Sequence, residues 1–170
     1  MKRTLAYSVI AGYFALVILG IYVVGHYWEC NDQAPEQPIA YSHVRHVYQN
    51  GLACTHCHKF TDKSIHAGVP NLDVCAKCHA GMASDNPEIK KLQAYIEEGR
   101  PVVWNKVHVL PWHAHFSHKR HIKAGKQCEE CHSDVSAMPR IRRARSFEMG
   151  WCLSCHRKNN APQECWTCHK

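Results

Sequence analysis

The sequence predicts a mostly irregular protein with short α-helices, carried on one N-terminal transmembrane helix. Three observations support that class. The chain has 170 residues and 19.5 kDa, yet 11 are Cys and 15 are His. Its one long apolar run is spent at the N-terminus, within the first 28 positions. The remainder of the chain is poor in aliphatic residues, so disulfides, metals or covalently attached groups have to hold it. Length argues against a large metabolic enzyme. The formal charge of +7 resembles a nucleic-acid signal, but no nucleic-acid motif accompanies it, so no nucleic-acid partner is expected.

From Leu5 to Tyr27 no Asp, Glu, Lys or Arg occurs, and these 23 residues as a helix span about 35 Å, enough for a hydrocarbon core. Lys2 and Arg3 precede the run, so the positive-inside rule keeps the N-terminus cytoplasmic and sends the rest to the periplasmic or outer side of a bacterial membrane. A cleaved signal peptide, cut near Val23 and Gly25, is the rival reading. Ser8, Ala11, Gly12 and Ala15 share a helical face that would let another helix approach. Cys30 follows Tyr27, Trp28 and Glu29, which are too large for a lipid-attachment signal, and reads as an unpaired thiol. The division is then 1–28 for cytoplasmic tip and anchor, 29–40 for a polar linker with two prolines, and 41–170 for the outer domain.

One motif occurs five times: Cys54-Thr-His-Cys57-His58, Cys75-Ala-Lys-Cys78-His79, Cys128-Glu-Glu-Cys131-His132, Cys152-Leu-Ser-Cys155-His156 and Cys165-Trp-Thr-Cys168-His169. It uses ten of the eleven cysteines. In c-type haem attachment the two thiols bond the vinyl groups and the adjacent His binds the iron, so five covalently bound haems c are expected. Zinc ribbons and redox dithiols also use Cys-x-x-Cys, but neither needs a His after every second Cys. With about 28 residues per haem the porphyrins themselves form the core. Their propionates supply the anions that +7 offsets, with Arg140, Arg142, Arg143 and Arg145 as partners, or else as a solvated basic loop or docking patch.

Ten His remain for the sixth ligands. Tyr41-Ser-His43-Val-Arg-His46 precedes the first motif, and Phe116-Ser-His118-Lys-Arg-His121 precedes the third, an internal duplication. Two imidazoles three positions apart lie on one side of a helical turn and can serve two irons. The pattern resembles class III multihaem cytochromes c, in which the first such His binds the haem that comes after it and the second binds another. That resemblance implies His43, His46, His118 and His121 as distal ligands. For the fifth, His108 ranks first, then Met149 and His66; a Met ligand would raise that haem's potential. His26, His56, His113 and His115 read as non-ligands, and Met82 is faintly similar to the Met beside the first haem of quinol dehydrogenases. Asn86 as N-cap, Pro87 at the first helical position, Ile89, Leu92, Tyr95 and Ile96 on one side, and Gly99 with Pro101 as terminators predict one amphipathic helix.

The run through the first two motifs, Lys63-Ser-Ile-His-Ala-Gly-Val-Pro70, Asn86-Pro-Glu-Ile-Lys-Lys-Leu92, Trp104-Asn-Lys-Val-His108-Val-Leu-Pro111, Phe116-Ser-His118, and Met149-Gly-Trp-Cys152 through Arg157 resembles the pentahaem cytochrome subunit of alternative complex III. It is also similar to the hexahaem subunit of menaquinone reductase complexes. One departure is the interval of eight residues between His156 and Cys165. The resemblance implies an electron-transfer subunit without a catalytic site of its own. Its partners would be iron–sulfur and polysulfide-reductase-type membrane subunits of a quinone-reactive respiratory or photosynthetic complex, with a soluble electron carrier as a further partner. A NapC-type quinol dehydrogenase and a haem filament subunit are the alternatives.

Overall fold

With no charge from Leu5 to Tyr27, the N-terminal run continues unbroken as α1 (Lys2–Asp32). The computed structural model describes the backbone of residues 2–32 and 34–170, and the side chains of these except positions 2, 3, 5 and 28–32. The features assigned to the Lys2, Arg3, Trp28 and Cys30 side chains lie outside the described residues. Ala6–Tyr27 has a mean hydropathy of 2.2 and buries none of its side chains, so by length and composition it can cross a membrane. Such a surface, apolar all round, is one that lipid could cover.

The interval read as a linker is anchored over its second half. Gln37 Nε2 donates to Asn105 O at 2.9 Å, and Asn105 N donates back to Gln37 Oε1 at 3.0 Å. Asn105 Nδ2 reaches Glu36 O at 2.5 Å, Arg140 Nε reaches Pro35 O at 3.4 Å, and Ala40 N donates to Glu88 Oε2 at 2.6 Å. Ile39 is buried between these ties. Residues 35–40 therefore belong to the domain they lead into.

Beyond them the chain is helical turns and irregular connections, with no strand among the described residues. A π-helix, Val44–Gln49, continues the first aromatic-Ser-His segment. The helices α2 (Cys54–Cys57), α3 (Leu72–His79), α6 (Cys128–His132), α7 (Met149–Lys158) and α8 (Cys165–Cys168) each contain one Cys-x-x-Cys pair. A helical turn explains the spacing: positions i and i+3 put both thiols on one side, and i+4 puts the His beside the first.

The predicted amphipathic helix forms as α4 (Pro87–Glu97). Asn86 caps it by accepting from Glu88 N at 2.9 Å, Leu92 is its buried residue, and Gly99 ends it at φ 62°. It packs on α3, and Gln93 Nε2 donates to His79 O and Met82 O at 2.9 and 2.8 Å. That clasp fixes the C-terminal end of α3, where His79 sits. The remaining helix, α5 (His118–Lys123), docks on the loop after α2: Lys119 N reaches Ser64 O and His118 N reaches Ile65 O, both at 3.1 Å. The loop closes on itself where Phe60 packs against Gly68, whose φ of +76° and a would-be Cβ 3.0 Å from Phe60 Cδ2 both require glycine.

Among the described residues only Ile39, Leu92 and Met138 are buried apolar side chains. Three side chains are too few to hold 130 residues of outer chain together. The domain has the framework of a fold whose core is something other than protein.

Candidate haem-attachment sites and their ligands

The two duplicated segments fold alike around their imidazoles. Tyr41 stacks on His46 at 4.4 Å and 22° and meets His43 edge-on at 4.9 Å and 84°. Phe116 stacks on His121 at 4.3 Å and 29° and meets His118 edge-on at 4.9 Å and 89°. The second His of each pair bonds back through Nδ1 to the carbonyl of the preceding Ser, Ser42 or Ser117, at 2.9 Å in both. One aromatic ring thus sets the angle of two imidazoles.

An iron held between two imidazole nitrogens by bonds of about 2 Å, each nitrogen about 1 Å from its ring centre, sets the ring centres about 6 Å apart. The structure brings His46 to His79 at 6.0 Å and 55°, His121 to His156 at 6.1 Å and 55°, and His118 to His132 at 6.4 Å and 3°. His43 lies in the field of His58: burial first, then His58 and His46, push its imidazole down to about 4. His79 and His132 are also lowered, in each case mainly by burial. Neutral imidazole is the form that binds metal.

The remaining ring nitrogens are held from behind. His58 Nδ1 meets Gly68 O at 2.6 Å, His118 Nδ1 meets Ile65 O at 3.0 Å, His156 Nδ1 meets Pro162 O at 2.5 Å and His169 Nδ1 meets His113 O at 3.0 Å. A carbonyl on Nδ1 fixes the proton there and leaves Nε2 as the lone pair for a metal. The single loop 60–68 thereby orients the His of the first motif and the distal candidate His118 together. Sequence reasoning missed these carbonyls, because nothing in residue identity marks a backbone acceptor.

The fifth motif is arranged differently. His113 and His169 rings are 5.6 Å apart at 30°, and His115 N donates to Cys168 O at 2.7 Å. The carbonyl behind His169 Nδ1 is that of His113 itself, so the short His113 side chain cannot also reach the opposite, Nε2 side of that ring. His108, the first choice for the fifth distal ligand, lies beside the third motif. Its Nε2 lies 3.3 Å from His132 Nδ1, its ring 4.5 Å from His132 at 83°. Burial, then His132, Arg143 and His118, lower it to about 4. His66 is exposed in loop 60–68. Met149, 66% exposed, begins α7 one turn before Cys152. Of the four basic-loop arginines, Arg140 holds Pro35 O and Arg143 lies beside His108.

The motif thiols neighbour one another through space. Burial pushes up the Cys75 thiol, and Cys57 of the first motif adds to it. Cys128 is raised by burial and by Cys54, Cys131 by burial and by Cys155 of the fourth motif, and Cys152 by burial and by Cys168 of the fifth. The motifs therefore lie side by side in the order second, first, third, fourth, fifth.

These features fit haem c. The Nδ1 atoms of His43 and His79 are buried without a hydrogen-bond partner, while the Nε2 side of each ring is the one a metal would take. Among the described residues no three His, Cys, Asp or Glu side chains converge on a point, as a zinc site would need. The ten motif cysteines are all unpaired.

Comparison with known proteins agrees with that chemistry. Residues 114–170 match the family model described as cytochrome c7 and related cytochrome c. That span contains the third, fourth and fifth motifs together with His118 and His121. The chain is also similar to the menaquinone reductase multihaem cytochrome c subunit of Nitratidesulfovibrio vulgaris, 29% identical over an alignment 162 residues long, with 79% of this chain and 77% of that one covered. With its helical, strandless outer part and one apolar N-terminal helix, the chain is similar to multihaem cytochromes c, and over residues 114–170 to those of cytochrome c7 type.

Proposed function

We propose that this protein is a membrane-anchored pentahaem cytochrome c that conducts electrons within a quinone-reactive complex of the alternative complex III or menaquinone reductase kind. The observation that carries the reading is the recurrence of imidazole pairs about 6 Å apart, because an iron closed on both sides has no position for a substrate. Haem c bound there supplies one-electron exchange by outer-sphere transfer between neighbours.

Each residue of the site has a role in this reading. Cys54, Cys57, Cys75, Cys78, Cys128, Cys131, Cys152, Cys155, Cys165 and Cys168 form the thioether links. His58, His79, His132, His156 and His169 are the proximal ligands, opposed in turn by His43 on the first, His46 on the second, His118 on the third and His121 on the fourth. Met149 is favoured for the fifth, because it shares a face of α7 with Cys152, whose thiol neighbours Cys168. Tyr41 and Phe116 orient the imidazoles, and the backbone carbonyls hold the Nδ1 protons. No group of the chain is required to move a proton.

The helix α1 anchors the domain with its N-terminus cytoplasmic, which places the domain on the periplasmic or outer side, where c-type haem is attached. The partners are iron–sulfur and polysulfide-reductase-type membrane subunits. The test is purification of the native protein in mild detergent with identification of its companions, and the mass of the denatured chain. Five retained haems and quinone-reactive membrane companions are expected. Four or fewer haems in matured protein would remove the pentahaem assignment, and quinol oxidation by the isolated subunit would move it to the NapC type.

A further inference from the structure

Six ring nitrogens of the ligand set rest on backbone carbonyls: those of His46, His58, His118, His121, His156 and His169. Of the other three, His43 and His79 have a buried Nδ1 without a hydrogen-bond partner, and His132 alone turns its Nδ1 to a side chain. It faces the Nε2 of His108 at 3.3 Å, across a ring angle of 83°. Building this contact takes effort elsewhere in the chain. Phe147 sits at φ 50°, in the left-handed region that few residues other than glycine adopt. From there its ring lies edge-on to both His108, at 5.6 Å and 67°, and His132, at 6.1 Å and 61°. Trp151 then closes over Phe147 at 5.4 Å and 86°. A strained backbone position that packs on both members of one hydrogen bond is the arrangement expected where that bond is being held on purpose.

We propose that His108 is a positioning residue for the third haem, accepting the Nδ1 proton of His132 and so setting that iron apart from the other four. The inference rests on the assignment of His132 as a proximal ligand. If its Nε2 binds iron, its proton is on Nδ1 and is donated, so the Nε2 of His108 facing it is the lone pair. Imidazole nitrogen is a more basic acceptor than an amide carbonyl. It draws the proton further from His132, makes the Nε2 of His132 a stronger donor, and favours the oxidised iron. The third haem lies in the middle of the row of attachment sites, between the first and the fourth, so its potential bears on passage between the two duplicated halves.

The experiment compares wild type, His108→Leu and His108→Gln as full-length holocytochrome in detergent, read by redox potentiometry and by electron paramagnetic resonance. His108→Leu is expected to keep all five haems low-spin and to move one potential upward. His108→Gln, whose amide oxygen can stand where Nε2 stood, is expected to return that potential toward wild type and also guards against a merely misfolded Leu variant. Unchanged potentials in His108→Leu would overturn the proposal. So would a new high-spin haem in both variants, which would make His108 an axial ligand instead. A parallel His118→Ala protein tests the underlying ligand assignment: no high-spin haem there means the His118–His132 pair itself is wrong, whatever His108 does.

Discussion

The two aromatic-Ser-His-x-Arg-His segments end in nearly the same ring geometry by different backbones. The first continues as a π-helix, Val44–Gln49, and the second as α5, His118–Lys123. Yet His46 meets His79 and His121 meets His156 at 6.0 and 6.1 Å, each at 55°. The halves share the aromatic ring stacked on the second His and the Ser carbonyl behind it. The geometry is thus preserved by side-chain packing and one local hydrogen bond, and helix type is secondary. They differ at the first His. His118 Nδ1 is anchored on Ile65 O, whereas His43 Nδ1 is buried without a partner. The second half leans on the first, through the loop 60–68.

That asymmetry can be broken in order of effect. The largest is expected from His43→Ala against His118→Ala. Each should open one iron and produce one high-spin haem among five, counted by magnetic resonance. Only His118→Ala should also loosen the contact between halves, seen as a lower thermal midpoint. Equal midpoints would show that the Ile65 contact contributes nothing. Next is Met149→Leu, where one low-spin haem loses sulfur ligation and its potential falls or its spin state changes, with the two halves untouched; an unchanged spectrum assigns that ligand elsewhere.

Gly68→Ala comes third. A Cβ would meet Phe60 at 3.0 Å with φ at +76°, a cost of about 1–2 kcal/mol in denaturant unfolding. Since Gly68 O holds His58 and the same loop holds His118, both the first and third haems should shift in potential. A stability loss without either shift would mean the loop does not orient its ligands. Phe116→Leu and Tyr41→Leu remove one ring each and should cost about 1 kcal/mol apiece. Tyr41→Phe should be close to neutral, because the hydroxyl, its pKa raised to about 12 mainly by burial, stays protonated and adds no charge. Asn86→Ala, which loses the cap of α4, should likewise cost about 1 kcal/mol, and without spectral change.

The helical turns of the Cys-x-x-Cys-His motifs, the apolar helix α1 and α4 were legible because each is a local pattern: a five-residue spacing, an uncharged run, a cap with a terminator. The likeness of the two aromatic-Ser-His segments was legible because duplication doubled a short signal, and the structure folds them alike. His108 was not. Its neighbours Val107, Val109 and Leu110 describe a plain extended stretch, and its partner His132 is 24 positions away. The segment 35–40 failed as a linker for the same reason. Pro and polar residues mark a solvated strand locally, while the reciprocal amide pair of Gln37 with Asn105 spans 68 positions. Backbone acceptors such as Gly68 O and His113 O have no signature in sequence at all, since every residue offers one.

Whether the duplicated segments supply equivalent ligands to different irons is read by counting high-spin haems in His46→Ala, His121→Ala and the double variant, with covalent haem content checked by mass. One, one and two high-spin haems are expected, with all five haems retained in each protein. A double variant with a single high-spin haem, or single variants that remain wholly low-spin, would contradict that equivalence.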